Sequence, residues 1–153
     1  MNFHVPVMAA EVVEQLVVDP AGTYVDATAG GGGHGAAILA SLGPSGRLLA
    51  LDRDEAAVAA ARARLAPFGD RARIEQADFG SLAARCQDCG VFSVRGVLFD
   101  LGVSSAQLDA PGRGFSFRAT GPLDMRMDPR QQGTAESWLA AASEEEIARA
   151  LRE

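Results

Sequence analysis

Long apolar runs are missing from this chain: no stretch approaches the roughly 20 uninterrupted apolar residues of a membrane-spanning helix, and the N-terminus has no basic segment followed by such a run. A cytosolic protein is expected. Cysteine is scarce as well. The two present, Cys86 and Cys89, form a C-x-x-C among Arg85, Gln87 and Asp88, and no second pair exists to complete a tetrahedral metal site. A redox dithiol would open a helix after a strand, whereas this pair falls near an expected helix end, so incidental surface cysteines and no metal are expected. A surplus of positive charge is also missing. Formal net charge is -6 at pH 7, which excludes a uniformly basic surface that coats nucleic acid. Any nucleic-acid site must be local.

What is present is apolar material: 48% of the 153 residues are hydrophobic, enough for one buried core and one main domain. From Thr23 onward short apolar runs alternate with alanine-rich amphipathic segments, the pattern of β-α units and a parallel sheet. Strands are expected over residues 24–27, 47–51, 72–76 and 96–99, and helices over 34–42, 55–65 and 81–86. Residues 6–18 read as an amphipathic helix lying outside the sheet. Beyond Asp100 the character changes. Residues 104–130 are rich in Gly, Pro, Arg and Asp and read as a long irregular segment, in which Phe115 and Phe117 argue against plain disorder. Two short helices should follow, one opening at Thr134 and one at Ser143, where Ser-Glu-Glu-Glu supplies a capping box. Four parallel strands make only part of a doubly wound sheet, so the chain reads as the front of a longer protein.

The expected strands end at or beside Asp26, Asp52, Asp78 and Asp100. Ligands of open parallel sheets bind outside the carboxyl ends of the strands, so these carboxylates fall where a ligand would sit. After the first strand comes Asp26-Ala-Thr-Ala-Gly-Gly-Gly-Gly-His-Gly, which opens the first helix. Glycines there let backbone approach a ligand closely, and Asp52, about twenty residues beyond Gly32, is placed to accept ribose hydroxyl hydrogen bonds. A dinucleotide loop begins with glycine directly after the strand, whereas here Asp26 ends the strand and Thr28 stands at the first glycine's place. A carboxylate at that point suits a cationic ligand better than a pyrophosphate. S-adenosylmethionine, with an ammonium, a sulfonium and no phosphate, is complementary to it. Asp78-Phe79 offers an acceptor for an adenine amino group beside an apolar ring face, or else a helix cap and a core ring.

Longer segments carry a resemblance. His4-Val-Pro-Val-Met with Glu11, Tyr-Val-Asp-Ala-Thr-Ala-Gly-Gly-Gly-Gly-His, Leu-Asp-Arg-Asp, Asp-Leu-Gly-Val-Ser-Ser-Ala-Gln-Leu-Asp, Arg-Gly-Phe-Ser-Phe and Gly-Pro-Leu-Asp-Met-Arg-Met-Asp span almost the whole chain. Together they resemble the ribosomal small-subunit methyltransferase H family. The resemblance implies a Rossmann-like α/β fold and S-adenosylmethionine-dependent methylation of a cytidine N4 in small-subunit ribosomal RNA. It implies bacterial cytoplasm, and ribosomal RNA or the assembling small subunit as partner. Carried over residue by residue, cofactor contacts fall on Gly32, Gly33, His34, Asp52, Phe79, Asp100 and Gln107. His34 and Gln107 come from the resemblance alone. It divides the chain into a cofactor-binding portion, residues 1–130, and the start of an all-helical insertion, residues 131–153.

Asp100 is the candidate catalytic residue, accepting from the N4–H of the cytosine or orienting the cofactor. A target base must be single-stranded or flipped, and Phe115 and Phe117, interleaved with Arg113, Arg118, Arg126 and Arg130, are placed to stack and neutralise it. The competing expectation is a loop folded back on the domain, with the Phe rings buried and Arg126 paired to Asp124 or Asp128. Two other functional readings stand beside this one: a cofactor-binding piece without chemistry, and an NAD-dependent oxidoreductase, which shares the glycine loop and Asp52.

Overall fold

A computed structural model describes residues 6–152. His4 and Val5 of the first motif lie outside the described residues, as does Glu153. The chain divides into two compact units, one running to Gly102 and one beginning at Val103.

The first unit opens with helix α1 (Ala9–Leu16) and continues as β1 (Thr23–Asp26), α2 (Gly33–Ser41), β2 (Arg47–Asp52), α3 (Glu55–Leu65), β3 (Ala72–Gln76), α4 (Leu82–Asp88) and β4 (Gly96–Leu98). Every expected strand and helix is present, with ends displaced by at most three residues. The sheet is four-stranded, in the order β3-β2-β1-β4, and each pairing is parallel: Val25 stands opposite Leu49 and Val97, and Leu49 opposite Arg73. The chain therefore steps outward from β1 to β3 and returns to the other side of β1 as β4. That reversal makes a switch point at the carboxyl ends of β1 and β4, where doubly wound sheets bind ligands.

Alternation along the strands builds two apolar faces. Tyr24, Leu48 and Ala50 pack with Ile38 and Leu39 of α2 and Ala61 and Leu65 of α3, and Val13 and Leu16 of α1 join this cluster. On the other face Val25, Leu49 and Leu51 meet Leu82, Cys86, Cys89, Val94 and Val97. The cysteines are thus half-buried packing groups rather than surface residues; burial, with Cys89 adding to it, raises the pKa of the Cys86 thiol. Gly96 leaves room for Leu16 where β4 runs beneath α1, since a Cβ there would meet Leu16 Cδ1 at 2.6 Å and displace that side chain.

Caps finish the helices. Asp54 accepts from Ala56 N–H at 3.0 Å and opens α3. Arg71 donates to Leu39 O at 2.6 Å and Gly43 O at 2.9 Å, satisfying carbonyls at the end of α2.

The second unit differs from its expected form. A short helix, α5 (Ser105–Asp109), lies inside the stretch expected to be irregular, opened by a reciprocal Ser104–Gln107 capping box. Helices α6 (Ala135–Ala141) and α7 (Glu144–Ala150) open at Thr134 and Ser143, each with a capping box. Within this unit Ala135 N–H donates to Asp124 O at 2.8 Å and Glu136 N–H to Leu123 O at 2.9 Å, tying α6 to the segment before it.

Candidate functional site

Parallel register brings the carboxyl ends of all four strands to one edge, where Asp26 ends β1 and Asp52 ends β2, while Asp78 and Asp100 lie two residues beyond β3 and β4. Their environments differ sharply. Asp26 is 1% exposed. Its Oδ1 accepts from Thr28 N–H at 3.2 Å, while Oδ2 is buried with no hydrogen-bond partner. Burial pushes its pKa up from 3.8 to about 6, against the smaller lowering effects of the Thr28 N–H and of His34. A buried carboxylate oxygen with no donor is a site for a donor or a cation.

The glycine loop turns around these carboxylates. Ala27 N–H donates to Leu98 O at 2.9 Å and Ala29 N–H to Leu51 O at 2.8 Å. Gly30 N–H donates to Asp52 Oδ2 at 2.8 Å, and Gly32 N–H to Ala29 O at 2.8 Å. With Thr28 N–H turned to Asp26, successive loop amides are engaged by the protein itself. Gly32 has φ 76°, and a Cβ on it would stand 3.1 Å from Ala61 Cα, so glycine is demanded by both conformation and space. A Cβ on Gly33 would press on Pro6 at 3.1 Å.

Asp52 accepts one backbone N–H on each oxygen, from Gly30 and from Asp54 at 2.9 Å, which fixes the carboxylate and leaves further lone pairs on it. His34 is buried at the start of α2, with Nε2 2.9 Å from Val7 O and Nδ1 3.7 Å from Asp100 Oδ2. Thr28 Oγ1 accepts from Asp100 N–H at 2.7 Å, so the loop after β1 pins the backbone after β4. The Asp100 side chain itself is half exposed.

Phe79 stands edge-to-face with Phe99, ring centroids 5.9 Å apart. Both rings are partly exposed, so they form an apolar platform rather than core. Asp78 caps the short turn over Phe79–Ser81, accepting from Gly80 N–H at 2.7 Å, and lies 3.5 Å from Arg53.

Gly32, Gly33, His34, Asp52, Phe79 and Asp100 thus all lie in the first unit, in or just after the loop and strand ends. Gln107 belongs to the second, where its Oε1 accepts from Ser104 N–H at 2.9 Å and it sits on α5 rather than in a loop. Sequence reasoning missed Phe99, although an aromatic next to the last strand's carboxylate was a visible signal. The arrangement can hold an adenosine-like group and a cation; it contains no cluster of His, Cys, Asp and Glu suited to a metal among the described residues.

A solved structure from Clostridium thermocellum, described as a candidate rRNA methylase, superposes with a TM-score of 0.52 at 22% identity over 67% of this chain and 55% of that one. The fold is therefore Rossmann-like. The family described as MraW methylase matches residues 1–153. The ribosomal RNA small subunit methyltransferase H of Thiobacillus denitrificans is 52% identical over 149 residues, which is 97% of this chain and 47% of that protein. Its namesake from Methylococcus capsulatus is 53% identical, covering 95% of this chain and 49% of its own length. The chain belongs to the MraW methylase family, and it spans about half the length of the curated relatives it matches.

Proposed function

We propose that this chain holds S-adenosylmethionine at the carboxyl edge of its sheet. We infer further that it is the cofactor-binding part of an enzyme methylating the N4 of a cytidine in small-subunit ribosomal RNA. Its partner is that RNA or the assembling small subunit, its place the bacterial cytoplasm, and residues 131–153 open a helical insertion. No helix among the described residues is long and apolar enough to cross a membrane.

The observation that carries the reading is the pairing of the loop amides. A dinucleotide loop works because free N–H groups face a pyrophosphate. Here Thr28 and Gly30 N–H are held by the carboxylates of Asp26 and Asp52, and Asp26 Oδ2 is left buried without a donor. Negative charge and unused acceptors meet a cationic, phosphate-free ligand, and they disfavour NAD.

The residues present fit the cofactor. Gly32 and Gly33 let the loop pack against Ala61 and Pro6 beside the strand ends, Asp52 offers its remaining lone pairs to ribose hydroxyls, and the Phe79–Phe99 platform offers an apolar face to the adenine. His34 and Gln107 enter through family resemblance. When bound, S-adenosylmethionine supplies an electrophilic methyl group. The chain's own task is to orient the acceptor amine and take up its proton. The cytosine N4 lone pair is conjugated with the ring, and a carboxylate accepting from N4–H draws it out of conjugation. Asp100, with its backbone pinned by Thr28 and its carboxylate half exposed, is assigned that role.

Calorimetric titration of the chain with S-adenosylmethionine, with NAD as control, tests the pocket. Selective binding of the former is expected; preference for NAD would overturn the reading. In the complete enzyme Asp100→Ala should lower turnover by roughly 100-fold or more, and undiminished turnover would remove the assignment. The chain's share of its relatives' length favours one variant of the reading: retention of radiolabelled cofactor without methyl transfer would mark the chain as a binding piece alone.

A further inference from the structure

We propose that the Phe117–Arg118 tip of the second unit is a stacking surface for an unpaired pyrimidine of the RNA, while the other arginines of the segment hold the loop in shape. The inference rests on the reading of the chain as part of an RNA-modifying methyltransferase.

Residues 111–130 carry four arginines and two aspartates in a chain of net charge -6, so positive charge is concentrated here. The structure separates the arginines by task. Arg126 forks onto Asp124, with Nε 2.8 Å from Oδ1 and Nη2 2.7 Å from Oδ2, and its Nη1 donates to Pro129 O and Gln131 O. Arg130 forks onto Asp128 in the same way, at 2.9 and 2.8 Å. Each pair cancels its own charge. Arg113 turns inward, donating to Arg126 O at 3.1 Å and Met127 O at 2.9 Å. Arg118 is exposed and makes no ion pair among the described residues.

The same contacts clamp the base of the loop. Met125 N–H donates to Arg113 O at 3.0 Å. Gly114, at φ 74°, lies so close to the returning segment that a Cβ would meet Pro122 O at 2.5 Å and Asp124 N at 2.7 Å, and Gly121 is tighter still against the Pro111 carbonyl. Between these glycines residues 115–120 leave the clamp and come back. Phe115 stays half-buried, whereas Phe117 is fully exposed, at 107%. Arg118 N–H donates to Ser116 Oγ at 3.2 Å and shapes the turn behind the ring.

An isolated exposed phenylalanine means little. Phe92 is 85% exposed, but its neighbours are Val91 and Ser93, and nearby Arg95 is paired to Asp19 at 3.3 Å. Phe117 differs in having an uncancelled guanidinium beside it on a clamped loop. A ring face plus an adjacent cation is what a base and its phosphate require, and stacking tolerates any pyrimidine.

The test is fluorescence anisotropy of a labelled single-stranded, cytidine-containing RNA oligomer against the chain and its variants Phe117→Ala, Phe117→Trp and Arg118→Gln, whose folding is checked by circular dichroism. Phe117→Ala should weaken binding roughly 5- to 150-fold while Phe117→Trp retains it, and Arg118→Gln should reduce the slope of log affinity against log salt by about 0.7. No RNA binding by the parent chain, or binding indifferent to these changes, would overturn the proposal. So would a Phe117→Ala variant that loses only self-association, since the ring would then be a protein contact. S-adenosylmethionine titration of the same samples keeps the two readings apart: its failure counts against the cofactor assignment, whereas cofactor binding with RNA binding blind to Phe117 counts against the stacking surface alone.

Discussion

The two compact units are held together by different physics. Among the described residues every buried apolar side chain lies between Tyr24 and Leu65, in the first unit, whereas Gln107 alone is buried in the second. The first unit is ordered by a core on both faces of a sheet. The second is ordered by capping boxes at Ser104, Thr134 and Ser143, by two Arg–Asp forks and by Arg113 gripping backbone carbonyls. Apolar burial tolerates loss of a hydrogen bond; a polar clamp tolerates loss of a methyl group. One chain supplies both cases, and its single tyrosine and single tryptophan, Tyr24 and Trp138, give each unit its own optical probe.

The largest expected effect breaks the contrast by truncation. Leu49→Ala, at a residue 1% exposed in the sheet, should lower the unfolding free energy followed at Tyr24 by about 2–5 kcal/mol. The like change at Leu139, which is 41% exposed on α6, should alter the transition followed at Trp138 by only about 0.5 kcal/mol or less. Equal losses in urea titrations of the two variants would abolish the distinction.

The pH dependence of the two units should run in opposite directions. Asp26 has its native pKa raised to about 6, so between pH 3.8 and 6 the unfolded chain ionises while the native carboxyl stays protonated, and stability falls as pH rises. The loss should total about 3 kcal/mol by neutral pH, and Asp26→Asn should flatten it. Asp124 is held down at about 2 by the Arg126 fork, so its contribution is complete above the ordinary value near 3.8 and disappears as pH falls toward 2. Denaturant midpoints read at Tyr24 and at Trp138 across this range test both signs; parallel drifts would refute the assignment.

Asp26 also ties pH to the ligand. A cation beside it favours the ionised form, so affinity for S-adenosylmethionine should fall as pH drops below about 6, and calorimetry at pH 5 and 7 measures it. A modest effect sharpens the account of the second unit: Thr134→Ala removes the cap of α6 and should cost about 1 kcal/mol at the Trp138 probe.

Much of the first unit was legible in the residues because its apolar runs are short, bounded by Gly, Pro or Asp, and in step with strand and helix periods. The glycine loop and Asp52 were legible for the same reason, since strand, loop, helix and carboxylate follow one another in sequence. The missed features are of another kind. Phe79 and Phe99 meet because β3 and β4 end at the same edge from opposite sides of the sheet, which no local pattern announces. Helix α5 was overlooked although Ser104 and Gln107 have capping-box spacing; five residues are too few for apolar periodicity to register.

The order of residues by itself determined the parallel β-α alternation, the placing of carboxylates at strand ends, the need for glycine after β1 and the family to which the chain belongs. Tertiary structure alone decided which carboxylate is buried without a donor, which loop amides are already engaged, and which of four arginines is left facing water. Those outcomes depend on what surrounds a group in space. Hydrogen-bond partners and loss of solvent come from chain segments far apart in sequence, and it is these that set whether a charge is cancelled, stranded or available to a ligand.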